Sequence, residues 1–216
     1  MKGYACSIDE NFKKLFFPHN RIKTKTQIIE ILMESCRYIL LNDSQTADCK
    51  NKLVLKVEKM SRLFFIDEKK YYSINFPFTF YCDDTSKSIN YKGLLNVDSR
   101  LISDILAIIK DPRFNSENYF DFADSFEEID DYYLGRIWVL LKDLLTYEDG
   151  YLRIDYDTEL YLKAKEEGRE HSHPENHIDI FYTNSNTFKV GLNKNVDHDF
   201  FIDLLNTKTD CFYLKH

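Results

Sequence analysis

The stretch from Tyr151 to Leu192 constrains the fold most, because strand-like alternation brackets a cluster of histidines there. It reads Tyr151-Leu-Arg-Ile-Asp-Tyr-Asp157, then a charged connection, then His171-Ser-His-Pro-Glu-Asn-His-Ile-Asp-Ile-Phe-Tyr182, and finally Asn186-Thr-Phe-Lys-Val-Gly-Leu192. Successive side chains of a strand point to opposite faces. In the first run Leu152, Ile154 and Tyr156 therefore share one face, and Arg153, Asp155 and Asp157 share the other. In the second, Ile178, Ile180 and Tyr182 oppose His177, Asp179 and Phe181. In the third, Phe188, Val190 and Leu192 point inward, and Lys189 and Gly191 outward. Antiparallel pairing collects Arg153, Asp155, Asp157, His177, Asp179 and Lys189 on one side of one sheet. A slip of one residue would undo it.

The remaining chain mixes both periodicities. Phe12, Leu15, Phe16 and Phe17 ahead of Pro18 predict a short amphipathic turn within an N-terminal arm, 1–23. Ile28, Ile29, Leu32, Met33, Cys36, Ile39 and Leu40 form a helical stripe over 26–41, with Thr24 or Thr26 as its cap. From Lys52 the period becomes two. Runs at 52–58, 62–66 and 71–81, with Asp67–Lys70 as a hairpin connection, predict an antiparallel meander. Pro77 demotes the last run to an edge or splits it. Residues 83–96 read as a polar turn. A second helix covers 97–110, capped by Asp98 or Ser99 and lined by Leu101, Ile102, Ile105, Leu106 and Ile109.

An acidic aromatic segment, 114–131, predicts one short helix with irregular ends. The most apolar helix follows over 132–147, carrying Leu134, Ile137, Trp138, Leu141, Leu144 and Leu145, with Gly150 placed for positive φ. A last helix at 197–206 and a strand at 211–214 close the chain. With no repeat or linker in view, the reading is one α+β domain over 1–216. It has an antiparallel sheet, helices packed mainly on one face, and its site region at 151–192.

Composition narrows the function. Six glycines and no GxGxxG or GxxxxGK[ST] argue against the nucleotide-binding folds those motifs announce. A net charge of −7 is the opposite of a nonspecific nucleic-acid footprint. Basic residues cluster only locally, at Lys13, Lys14, Arg21, Lys23 and Lys25 and again at Lys50, Lys52, Lys56 and Lys59, where a solvated strand face is the plain reading of the second group and nucleic-acid contact the sharper one. Five cysteines without CxxC spacing suit thiols in a reducing cytoplasm. No apolar run is long enough to span a bilayer.

The chemistry that the site region supports is metal ligation or charge pairing. His171, His173, His177 and Asp179, with Asp155 or Asp157, offer the donors that zinc, manganese or nickel accept, and carboxylates that magnesium accepts. Pro174 rules out helical HExxH geometry. The plainer account makes His177 a satisfied half-buried residue, and Arg153 with Asp155 or Asp179 a cross-strand pair. A nuclease reading is also open, since acids on one strand and a lysine on the next resemble an Asp…(Asp/Glu)-x-Lys arrangement. Thr187 stands where its second acid should be.

The run Leu152-Arg-Ile-Asp-Tyr-Asp157, followed by His173-Pro-Glu-Asn-His177 and a strand ending near Lys189-Val190, resembles the C-terminal part of the bacterial DUF2290 proteins. These have a domain of unknown function in which an Arg-x-Asp-Tyr-Asp strand precedes a His-Pro-x-x-His strand. The resemblance implies a small cytoplasmic accessory protein of mobile or defence-type loci, and no reaction. Two functions follow as expectations. One is an accessory protein acting with a protein partner. The alternative is a divalent-metal-dependent hydrolase or nuclease, in which Arg153 or Lys189 orients a phosphate or carboxylate substrate.

Overall fold

A seven-stranded antiparallel sheet carries the residues that the sequence singles out. The computed structural model describes residues 3–19, 21–44, 50–58, 60–83, 85–116, 119–181 and 187–213. The chain first forms β1 (Gly3–Ser7), α1 (Glu10–Phe16), α2 (Lys25–Leu41), β2 (Lys52–Lys56), β3 (Arg62–Ile66) and β4 (Lys70–Asn75). Then come β5 (Thr79–Cys82), β6 (Lys87–Tyr91), β7 (Leu95–Asn96), α3 (Ser99–Lys110), α4 (Tyr119–Asp124), α5 (Glu127–Tyr132) and α6 (Arg136–Thr146). It ends with β8 (Leu152–Tyr156), α7 (Thr158–Glu166), β9 (Asn176–Phe181), β10 (Thr187–Gly191) and α8 (His198–Leu204). Helices and antiparallel sheets give the α+β class expected from the sequence.

The chain divides into two compact units. One comprises Asn20–Asp43 and Pro77–Glu148 and contains a small sheet in the order β5-β6-β7. Its helices start where the sequence supplies caps. Thr24 and Gln27 form a capping box on α2, and Asp98 Oδ1 accepts from the backbone of Arg100 and Leu101 at the start of α3. The second unit holds Lys2–His19, Ser44–Phe76 and Asp149–His216, and with them the large sheet, in the order β1-β2-β3-β4-β8-β9-β10. Every neighbouring pair in it is antiparallel.

One face of this sheet buries Val54, Phe64, Ile66, Ile154 and Ile178 beneath Phe201 of α8. The Phe64 and Phe201 rings meet edge to face at 5.7 Å. On the opposite face a single cross-strand row runs through all seven strands: Cys6, Leu53, Phe65, Tyr72, Arg153, Asp179 and Lys189. Its first four members are apolar or aromatic and its last three are charged. Helix α1 packs here through Phe16, whose ring lies 5.4 Å from Phe65 and whose carbonyl accepts the Tyr72 hydroxyl.

Several expectations are corrected. The opening residues, read as an arm, contain β1, because the buried Tyr4 and Cys6 alternate and pair with β2. The polar stretch 83–96 contains β6 and β7, whose Ile89, Tyr91 and Leu95 are buried. The meander is split at Pro77: β4 stops at Asn75, and β5 belongs to the other sheet. Residues 112–132 form a 3-10 turn and two helices rather than one. Leu134, assigned to an apolar stripe, lies before α6 at φ 55 and is 80% exposed. The charged connection after Asp157 is helix α7, with Asp157 Oδ1 accepting from Leu160 N at its start. Residues 211–213 are not in a strand, and Leu214, Tyr182 and Asn186 lie outside the described residues. The side of β2 that carries Lys52 and Lys56, read as solvated, is partly covered, since Val54 between them is buried and both lysines are half-buried.

Phe201 is fully buried against the sheet. Phe201→Ala should therefore lower the unfolding free energy by about 3–5 kcal/mol, measured by urea denaturation.

Candidate functional site

The three strands of the site region pair in the register that alternation predicts. Arg153 lies opposite Asp179 and Asp155 opposite His177 across β8–β9, and Lys189 lies opposite Asp179 across β9–β10. Strand β4 adds Lys70, opposite Asp155. Two carboxylates, one imidazole and three cationic side chains thus occupy two neighbouring rows on one face.

Three of these groups are buried. Arg153 is 8% exposed, His177 1% and Asp179 2%. Taking charge out of water is costly unless each charge meets a partner. Arg153 Nη2 lies 2.6 Å from Asp155 Oδ2 and 2.6 Å from Asp179 Oδ2, so one nitrogen bridges both acids. Lys189 Nζ lies 2.9 Å from Asp179 Oδ1. Burial opposes the charge of Asp179, but the Lys189 hydrogen bond and the Arg153 cation outweigh it and hold the carboxyl below its ordinary range. Burial and the repulsion of Arg153 pull the Lys70 ammonium down, and its Nζ reaches the Pro18 carbonyl at 3.3 Å.

His177 is fixed in one tautomer. Its Nδ1 is 2.7 Å from the Pro174 carbonyl, which can only accept, so Nδ1 carries the proton. Burial first, and the Lys189 ammonium second, lower its pKa, which favours the neutral ring. The Nε2 lone pair therefore faces the cluster. Lys189 Nζ lies 2.8 Å from it, and Asp155 Oδ2 and Asp179 Oδ1 each lie 3.8 Å from it. Pro174 is seated on Gly191, where an added Cβ would come within 3.1 Å of the proline ring. Gly191 is directly opposite His177, so the missing side chain makes room for the loop that orients the imidazole.

An aromatic ladder closes the site on its other flank. Tyr72 stacks on Phe65 at 4.4 Å and meets Tyr151 edge-on, and Tyr151 stacks on Phe181 at 4.4 Å. Arg153 lies over the Phe181 ring at 5.6 Å. The guanidinium is thus held by acids on one side and aromatic rings on the other, a setting suited to its planar, weakly hydrated charge.

The structure brings together Arg153, Asp155, His177, Asp179 and Lys189 of the expected residues. Ligand atoms of Asp155, His177 and Asp179 lie within 4.8 Å of one another, close enough to hold a metal ion. His173 and Asp157 stand beside this group as a separate pair, Nε2 to Oδ2 3.5 Å, with the His173 ring 4.9 Å from that of His177. Asp157 has left the strand to cap α7. The His171 side chain is 98% exposed in the 3-10 turn Glu170–Ser172, and its ion-pair partner there is Glu170. Sequence reasoning missed Lys70, because the β4–β8 pairing spans the whole 77–148 segment and leaves no local pattern. Of the basic group near β2, Lys50 pairs with Glu68 and Lys52 contacts His198, and Lys59 is outside the described residues.

No family model, curated protein or solved structure matches this chain, so the resemblance to the DUF2290 proteins rests on the residues quoted for it. Among the described residues no helix is long and apolar enough to cross a membrane.

Removing the shared cation leaves the half-buried Asp155 without its arginine and the buried Asp179 with Lys189 as its remaining cation. Arg153→Met should cost about 3–5 kcal/mol, whereas Arg153→Met combined with Asp179→Leu should recover much of that loss. A chemical-denaturation double-mutant cycle measures both. A single-variant loss near zero would mark the pair as energetically idle.

Proposed function

We propose that the β8–β9–β10 face is the site of a divalent-metal-dependent hydrolase acting on a phosphate ester. The observation that carries this reading is the orientation of His177. Metal-binding histidines commonly donate their second ring nitrogen to a carbonyl or carboxylate, which aims the other lone pair at the ion. His177 has this arrangement toward Pro174, with Asp155 and Asp179 beside its free lone pair. Ligands about 2.1 Å from a tetrahedral ion lie about 3.4 Å apart. The 3.8 Å separations at His177 need only a small contraction to reach that.

Charge favours an anionic substrate. A divalent ion together with Arg153 and Lys189 exceeds the two negative charges of Asp155 and Asp179, and a phosphate group would offset the excess. Arg153 is buried and committed to both acids, so its role is to position them. Lys189, whose side chain is 29% exposed, is the cation able to face substrate. A cavity of about 360 Å³, lined by Lys163, Glu167, Arg169, Ser172 and His173 among others, neighbours the cluster through His173, whose ring lies 4.9 Å from that of His177. The bound ion would supply a water of lowered pKa as nucleophile.

Elemental analysis of tag-free protein purified without chelator tests this reading. Near-stoichiometric zinc or manganese, lost in His177→Ala, is expected. Equal and negligible metal in both proteins, with none taken up on dialysis, would remove the reading.

A second reading, an accessory protein that acts with a partner, is favoured by a different surface. Tyr132, Leu134, Trp138 and Val139, close together in sequence, are 60%, 80%, 38% and 38% exposed. Exposed aromatic and aliphatic groups of this kind suit an interface. Affinity capture from the native host should recover a partner with the wild type and lose it with Leu134→Glu. No stable partner for the wild type counts against it.

A further inference from the structure

We infer that Lys189 is the resident cation of this site, and that a divalent ion enters by displacing its ammonium group. The inference rests on the metal reading above and deepens it by naming what the ion must compete with.

The geometry is specific. Lys189 Nζ is 2.8 Å from His177 Nε2 and 2.9 Å from Asp179 Oδ1, two of the three atoms that would ligate the ion. An ion bound to both at about 2.1 Å would lie within about 3 Å of the ammonium, too close for two cations to share the site. The two cations exclude one another. The β9–β10 register fixes the backbone of Lys189 opposite Asp179, so the seat is filled by design of the sheet rather than by a mobile loop. Its side chain is 29% exposed, and β10 is the last strand of the sheet, which leaves the long stem free to swing outward.

Two consequences follow. Without metal, Lys189 stabilises the folded site by neutralising Asp179 and satisfying His177. With metal, the lost lysine contacts are subtracted from the ion's affinity, so an ion must gain much from an imidazole to load at all. Zinc does, manganese gains less, and magnesium, which prefers oxygen and water, gains least. The lysine thereby selects the class of ion as well as the threshold for binding it.

The test is calorimetric titration of the full-length wild type, Lys189→Met and Lys189→Gln with zinc, manganese and magnesium, each variant checked for folding by circular dichroism. Removing a cation some 3 Å from two ligands should tighten zinc and manganese binding roughly tenfold or more, and magnesium binding should become measurable only in the variants. The glutamine variant keeps a polar group, so a result in that protein stands even if the methionine variant misfolds. Equal affinity in wild type and both variants, with binding still lost in His177→Ala, overturns the role of Lys189 and leaves the metal reading intact. No binding by any of the proteins overturns both.

Discussion

A guanidinium shared by two carboxylates is the interaction on which the site depends. Asp179 lies buried as an anion because Arg153 and Lys189 both face it, and the buried Arg153 is in turn held by Asp179 and the half-buried Asp155. Lys189 adds a second cation to Asp179, and Lys70 lies opposite Asp155 in register with its ammonium on the Pro18 carbonyl. Such a network is rigid, because moving any one member exposes another to an apolar surrounding. Rigidity of this kind is also what a ligand set needs, since the atoms must already converge before the ligand arrives.

The aromatic half of the face explains where the charges sit. Phe65 and Tyr72, and Tyr151 and Phe181, form two stacked pairs joined edge to face, and the chain of rings ends at Arg153. A guanidinium can face an aromatic ring while it bonds acids through its nitrogens, and Arg153 Cζ lies 5.6 Å from the Phe181 ring centre. Pro174 and Gly191 perform the corresponding task for His177 from the opposite side. The two functional side chains are therefore oriented by different means, one by ring faces and one by a backbone carbonyl.

Much of this could be read from the sequence, and the reasons are local. Alternation through Leu152–Tyr156, His177–Phe181 and Phe188–Gly191 fixes which side chains share a face, and the observed register agrees. Caps at Thr24, Asp98 and Asp197 mark three helices where side-chain oxygens meet free backbone amides. Helix α7 was illegible because Ala164 is its only buried residue, so no apolar stripe betrays it. Strand β1 buries only Tyr4 and Cys6 among small and polar neighbours, and β6 hides its buried Ile89 and Tyr91 in the same way. Lys70 could not be found at all by such means. Its partner strand is the eighth, and nothing in either strand encodes the other. His171 looked like a ligand only because sequence proximity was taken for spatial proximity.

The backbone amide of Asn75 donates to the carbonyl of Asp149 at 2.8 Å. The chain thus leaves the large sheet and comes back to it at nearly the same point, after the whole of 77–148 has been made. During synthesis β4 emerges long before β8, and in that interval its outer hydrogen-bonding edge has no strand to meet. Edges in that condition invite pairing with other chains, and contacts so distant in sequence form slowly. The ionic network is therefore the last part of the sheet that can assemble. A nascent chain stalled within the intervening segment would present Tyr72 and Lys70 on an open margin, with the acids that balance the lysine not yet synthesised.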